Sequence, residues 1–167
     1  NELGAAAAAY NADEKELCRL DEIYSAAKTP FEIRSGSEKV TRRFFKICNN
    51  GRESFTGLYK SLTEQGICKG HQCIAYGLYM RDNGIELSEG LAVYGYSICS
   101  AIVTNCVKLV PLSQLAGQKI LGESFELISS ASEKALFTDI NDIGISGAGF
   151  DLRAMQHERL YSRQYMS

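Results

Sequence analysis

The sequence predicts an all-α protein, a single compact helical bundle of about six or seven helices with a buried central helix at about 88–108. Three observations carry this. Only two prolines interrupt 167 residues, so the runs between breakers suit helices better than many short strands. The first of those runs, from about Ala5 to Ala27, is rich in Ala, Leu, Glu and Lys, all strong helix formers. Residues 90–107, GLAVYGYSICSAIVTNCV, carry no charge, which is the pattern of a helix apolar on every side at the centre of a bundle.

The elements follow in order. Residues from about Ala5 to Ala27 read as one helix, and the chain begins without Met in helix-forming sequence, which predicts residues upstream of Asn1. In KTPFEIRSG, Thr29 is a good N-cap, Pro30 suits the first helical position, and Glu32 stands three after Thr29. This capping box predicts a helix running to about Cys48. NNGRES is a turn. A short helix from about Ser54 to Gln65 ends at Gly66, and another from about Gly70 to Asp82 stops at DNG. The uncharged helix opens at Ser88. Its length also suits a membrane span, but Ser97, Ser100, Thr104, Asn105, two glycines and two tyrosines interrupt it and no second such run accompanies it. The buried reading is preferred. Pro111 ends that helix, and the next runs from about Leu112 to Lys134. Its helical phase puts Lys119, Glu123 and Glu126 on one wet arc, with Gln114 and Gln118 nearly opposite, beside Leu121, Phe125 and Ile128. Two amides at an apolar face require hydrogen bonds, because a buried unpaired amide costs about 1–3 kcal/mol. TDINDIGISGAG is a loop, and a final helix begins near Phe150 or Asp151, with Asp151 as N-cap. With no repeat or linker, residues 1–167 read as one domain.

Composition narrows the function. A net charge of −2 gives no overall basic field for nucleic acid. Six cysteines scattered through apolar stretches read as reduced, mostly buried thiols of a cytoplasmic protein. The metal-like stretch is CKGHQC, with Cys68, His71 and Cys73. The ligand types suit zinc or nickel, but the spacing fits no zinc knuckle, and on a helix Cys68 and Cys73 diverge by about 140°. Buried thiols beside a helix-start histidine is the simpler reading. GISGAG lacks the Lys-Ser/Thr of a phosphate loop. Adjacent His157 and Glu158 point about 100° apart on a helix and form no acid–base pair by themselves. A helical enzyme using His71 or His157 is therefore the weaker alternative to a non-enzymatic scaffold. The closing AMQHERLYSRQYMS adds Arg153, Arg159 and Arg163 with Tyr161 and Tyr165, residue types that anchor interfaces.

Several stretches resemble the urease accessory protein family UreF. MQHERLYSRQYMS is similar to that family's ending, closest to its Helicobacter-type form. VKLVPLSQLAGQKIL resembles its Val-Lys-x-Val-Pro-Leu-x-Gln-x-x-Gly-Gln segment, AYGLYMRDNGI its third signature, and RRFFKICNN its Arg/Phe-rich helix. The resemblance implies a further N-terminal segment of the family preceding Asn1. The resemblance implies an all-α, non-enzymatic, cofactor-free assembly factor for nickel urease. It implies binding to UreD (UreH), recruitment and modulation of the GTPase UreG, contact with the urease apoprotein in an activation complex, and a homodimer, with neither nucleic acid nor membrane. Carried onto this sequence, the partner-binding residues are Met155, Gln156, His157, Glu158, Tyr161, Ser162, Arg163 and Tyr165 in the tail, and Lys108, Gln114 and Gln118 in the second motif. The alternative is a metallochaperone holding Ni²⁺ through Cys68, His71 and Cys73.

Overall fold

The alanine run builds the centre of the molecule. In a computed structural model, which describes residues 1–48, 51, 53–144 and 147–161, helix α1 (Glu2–Asn11) packs along α5 (Gln72–Asp82). Ala5, Ala6 and Ala9 are fully buried. The two backbones come so close that a Cβ built on Gly77 would lie 2.2 Å from the carbonyl oxygen of Ala6. Small side chains on both helices allow this approach. Around the pair stand Leu17, Leu20 and Tyr24 of α2 (Glu14–Ala27), Phe45 of α3 (Phe31–Ile47), Tyr59 and Leu62 of α4 (Phe55–Glu64), and Leu91 and Tyr94 of α6 (Leu87–Leu109). Helices α7 (Gln114–Glu123) and α8 (Phe125–Ala135) pack on α6. A 3₁₀ turn (Ile140–Asp142) touches α1, and α9 (Ala148–His157) touches α3. The class is all-α, with nine α-helices and no strand among the described residues.

The expected count of six or seven is low because two long predicted helices each divide. The predicted helix 5–27 breaks at Ala12, where the backbone is extended and Asp13 opens α2 with a reciprocal capping box. Its Oδ1 accepts from the Glu16 N–H at 2.8 Å, and Glu16 Oε2 accepts from the Asp13 N–H at 3.0 Å. The predicted helix 112–134 breaks at Ser124 between α7 and α8.

Other boundaries also move. The capping box expected from Thr29 and Glu32 is replaced: Pro30 is the N-cap of α3 and no side-chain cap bond forms there. The last helix starts at Ala148 with Gly147 as N-cap, so Asp151 lies inside its first turn. Elsewhere the reading holds. Ser54 caps α4 by accepting from the Gly57 N–H at 2.9 Å. The Asp82 carboxylate accepts from the Phe55 and Thr56 N–H groups at 2.9 and 2.8 Å. It thus satisfies donors that a helix start leaves open and ties the end of α5 to the start of α4.

The largest correction concerns α6. It is expected as the buried hub, yet its buried residues are only Gly90, Leu91, Tyr94 and Gly95. From Tyr96 onward most of its side chains face outward, and Ile102 is 57% exposed. The hub is the α1–α5 pair. An uncharged helix suits either a core or a face kept for something outside the chain, and composition alone does not separate these. The helix remains the one described segment long and apolar enough to cross a membrane, but its first half is packed against α1, α5 and α8.

Candidate functional site

Two regions draw together the residues singled out in the sequence: a buried polar joint and an outer surface. The joint is built on Asp21, 2% exposed on α2. Its carboxylate accepts from the Tyr59 hydroxyl at 2.5 Å, the Lys69 N–H at 2.7 Å and the Gly70 N–H at 3.0 Å. Gly70 has φ +88°, a left-handed conformation that brings two successive N–H groups onto one carboxylate. The Tyr59 oxygen in turn accepts from the His71 N–H at 2.8 Å. Burial, with Asp21 adjacent, pushes the Tyr59 hydroxyl well above its ordinary range, so it remains a donor.

CKGHQC is therefore the strap of this joint. The fully buried His71 ring has Nε2 2.7 Å from Ser25 Oγ and Nδ1 3.3 Å from Ser37 Oγ, and the edge of its ring system meets Tyr24. Burial holds His71 below the ordinary imidazole value, against the opposing pull of Asp21. Cys68 faces Cys18, with 3.9 Å between sulfurs. Cys73 is fully buried, and burial followed by the Glu2 charge raises its thiol. The three candidate nickel ligands thus serve three different surroundings, and among the described residues no group of three His, Cys, Asp or Glu side chains is placed to hold a metal. Glu2 sits beside this region. Burial works to raise its carboxyl, but Lys28, 2.6 Å away, wins and holds it below the ordinary value.

The outer surface runs over α6, α7 and α8. Leu115 is 81% exposed and Leu127 73%, and Val93, Ile102, Leu109, Val110 and Phe125 are also exposed. Lys108 lies exposed in the last turn of α6, and Gln114 and Gln118 lie exposed on α7. Gly117 brings α7 onto α6, where a Cβ would meet Val107 at 2.7 Å. The two amides flank this contact without a partner among the described residues, so an intramolecular partner for them is not found. Their predicted phase assumes one unbroken helix, and Ser124 interrupts it. The wet arc is as expected: Lys119 pairs with Glu123 at 3.8 Å, both exposed. Between the start of α1, α6 and α8 a groove of about 600 Å³ is lined by Leu3, Gly95, Ile98, Leu127 and Ile128 among others.

The tail residues sit elsewhere, on the start of α3. His157 Nδ1 lies 2.6 Å from Glu32 Oε2, and Glu158 Oε1 accepts from the Phe31 N–H at 3.0 Å. Glu158 thus supplies the cap that Thr29 does not. Gln156 is exposed and Met155 half-buried, while Leu152, Leu160 and Tyr161 stand exposed. His157 and Glu158 thus anchor this helix to the start of α3 through polar contacts. Ser162, Arg163 and Tyr165 lie outside the described residues. Sequence reasoning missed Asp21 and Tyr59, whose types are common in helices and whose partners are distant in sequence. It also did not single out Leu115 and Leu127, which stand exposed.

The UreF family model matches residues 1–124. This chain belongs to the UreF family. Its similarity to individual UreF proteins extends beyond that span. It is 34% identical over 158 residues to the urease accessory protein UreF of Actinobacillus pleuropneumoniae serotype 5b, covering 94% of this chain and 70% of the relative. It is 31% identical over 152 residues to that of Paenarthrobacter aurescens, covering 89% and 67%, and 28% identical over 148 residues to that of Streptococcus thermophilus strain LMD-9, covering 88% and 62%. As a UreF, the chain is a non-catalytic accessory factor of urease.

Proposed function

We propose that this UreF is a cytoplasmic assembly scaffold for nickel urease. It acts as a homodimer, binds UreD (UreH), recruits and modulates the GTPase UreG, and so supports nickel insertion into the urease apoprotein. The observation that carries this reading is the apolar face of α6–α8, with Ile102, Leu115 and Leu127 exposed in a chain of an accessory-protein family. Large apolar side chains left exposed on three helices that pack together support a protein–protein contact, and Lys108, Gln114 and Gln118, exposed on two of the same helices, add polar groups to it. The tail, through Met155, Gln156, His157, Glu158, Tyr161, Ser162, Arg163 and Tyr165, is the second docking element. Arginine's planar fork and the tyrosine rings suit a desolvated contact.

Co-purification with UreD and UreG tests this reading. The intact chain should form a stable complex with both. A chain ending at residue 149 should lose UreG recruitment. Failure of the intact chain to bind UreD would overturn the scaffold assignment, and full assembly by the shortened chain would remove the tail from it.

A further inference from the structure

Two thiols meet at the joint between α2 and the strap leading into α5. Cys18 stands one turn before Asp21 and is half-buried, and beside Asp13, Glu14 and Lys15 it lines a surface depression. Cys68 is buried at 2% exposure. Their sulfurs are 3.9 Å apart, and the backbone that carries them is already fixed. The Cys68 N–H donates to the Leu62 carbonyl at 3.2 Å, and the next two N–H groups bind Asp21 on the same helix as Cys18. A disulfide needs the sulfurs at about 2.05 Å. The remaining approach is within reach of side-chain rotation, because the Asp21 bonds already hold the two elements together.

We propose that Cys18 and Cys68 form an oxidation site at which hydrogen peroxide converts the two thiols into an intramolecular disulfide. Peroxide reaches Cys18 first. Its O–O bond breaks as the Cys18 sulfur gains one oxygen, giving a sulfenic acid and one water. The Cys68 sulfur then attacks the Cys18 sulfur, the S–O bond breaks, the S–S bond forms, and the hydroxyl leaves with the Cys68 proton as a second water. The two thiols lose two electrons in total, and one peroxide is reduced to two waters. The order follows from access, since Cys18 borders solvent and Cys68 does not. It also fits the chemistry of Cys68, whose thiol is pushed up by burial and by the nearby Asp21 and Cys18, so that it rests protonated and is not the sulfur that peroxide oxidises first. The product is a covalent tie alongside the hydrogen bonds that Asp21 makes across the same joint.

The test uses the full chain, reduced, desalted, exposed to a few-fold excess of hydrogen peroxide, alkylated, and digested without reductant for mass spectrometry. A Cys18–Cys68 cross-linked peptide should accumulate and should vanish on treatment with dithiothreitol. In C68S the cross-link is lost and dimedone traps a sulfenic acid at Cys18, at a level several-fold above that of the unsubstituted protein. C18S should give neither the cross-link nor a dimedone adduct at Cys68. Recovery of both residues as free thiols would overturn the proposal. So would pairing of Cys18 with Cys48, Cys99 or Cys106 in comparable yield, or a cross-link formed only in urea-unfolded chain.

Discussion

Asp21 and Tyr59 hold α2, α4 and the strap together through a few bonds made out of water. Phenylalanine at Tyr59 would take one donor from a buried carboxylate and leave the His71 N–H without its acceptor. Hydrogen bonds to charged groups contribute about 1.5–3 kcal/mol, and a stranded buried donor adds its own desolvation cost. Tyr59→Phe should therefore destabilise the chain by about 2–4 kcal/mol with helical content intact at low temperature, as measured by urea denaturation. His71 gives a second consequence at this scale. Its folded pKa lies below the ordinary 6.5, so below that value the unfolded chain binds the proton that the native ring refuses. Stability should fall as pH drops from 7 through 6 towards the folded pKa and level off beneath it, with a slope no steeper than about 1.4 kcal/mol per pH unit for one proton. Denaturation at stepped pH should show this slope flattened in His71→Asn. Glu2, in the same region, has its pKa lowered from 4.5, so its contribution is present above 4.5 and is lost as pH falls from there towards its folded pKa, starting at lower pH than the His71 slope.

At the scale of the element, the close approach of α1 and α5 makes Gly77 irreplaceable. Alanine there would place a methyl 2.2 Å from the Ala6 carbonyl oxygen, a backbone neighbour with no rotamer to yield. Gly77→Ala should destabilise by about 3 kcal/mol, the upper range for overpacking. Gly36 on α3 has nothing within 4 Å of its Cβ position, so Gly36→Ala should be neutral or stabilise by up to about 1 kcal/mol. Thermal denaturation of the pair isolates the steric term from helix propensity. Helix α6 gives the sharper contrast between sequence and structure. Its existence and much of its length were legible, because eighteen uncharged residues between Ser88 and Pro111 leave few alternatives. Its burial was not, since an apolar helix for the core and one for a partner have the same composition. The break at Asp13 was legible in principle, as Asp13 and Glu16 stand at capping-box spacing, but good helix formers on both sides mask it. With Ile102 at 57% exposure, Ile102→Lys should keep the fold and thermal midpoint within about 0.5 kcal/mol of the parent, the usual range for surface substitutions. It should also weaken self-association, read by light scattering or sedimentation. Unfolding of this variant would return α6 to the core.

Across the whole molecule, the two ends of the chain converge on different parts of one scaffold. The amino-terminal α1 forms its centre, and α9 is pinned to the start of α3 by His157 and Glu158. The motifs of the tail were legible as interface chemistry from residue types alone, but their intramolecular anchorage was not, because the 125 positions between Glu32 and His157 leave no local signal. This anchorage gives the tail a structural base at His157 and Glu158. Glu158 caps an α3 donor, so Glu158→Ala should cost the fold about 1 kcal/mol, as cap removals do. Arg163 follows five residues later, within roughly 18 Å of that anchor even if the chain is fully extended, so a contact made by Arg163 falls close to α3. Arg163→Ala leaves the base contacts untouched and should preserve helical content and thermal midpoint. It should weaken recruitment of UreG to the UreD-bound scaffold by at least the ~2 kcal/mol of an interface hot spot, roughly thirtyfold in affinity. Measured by titration of UreG against the UreD complex, an unchanged affinity for Arg163→Ala would take Arg163 out of the docking element.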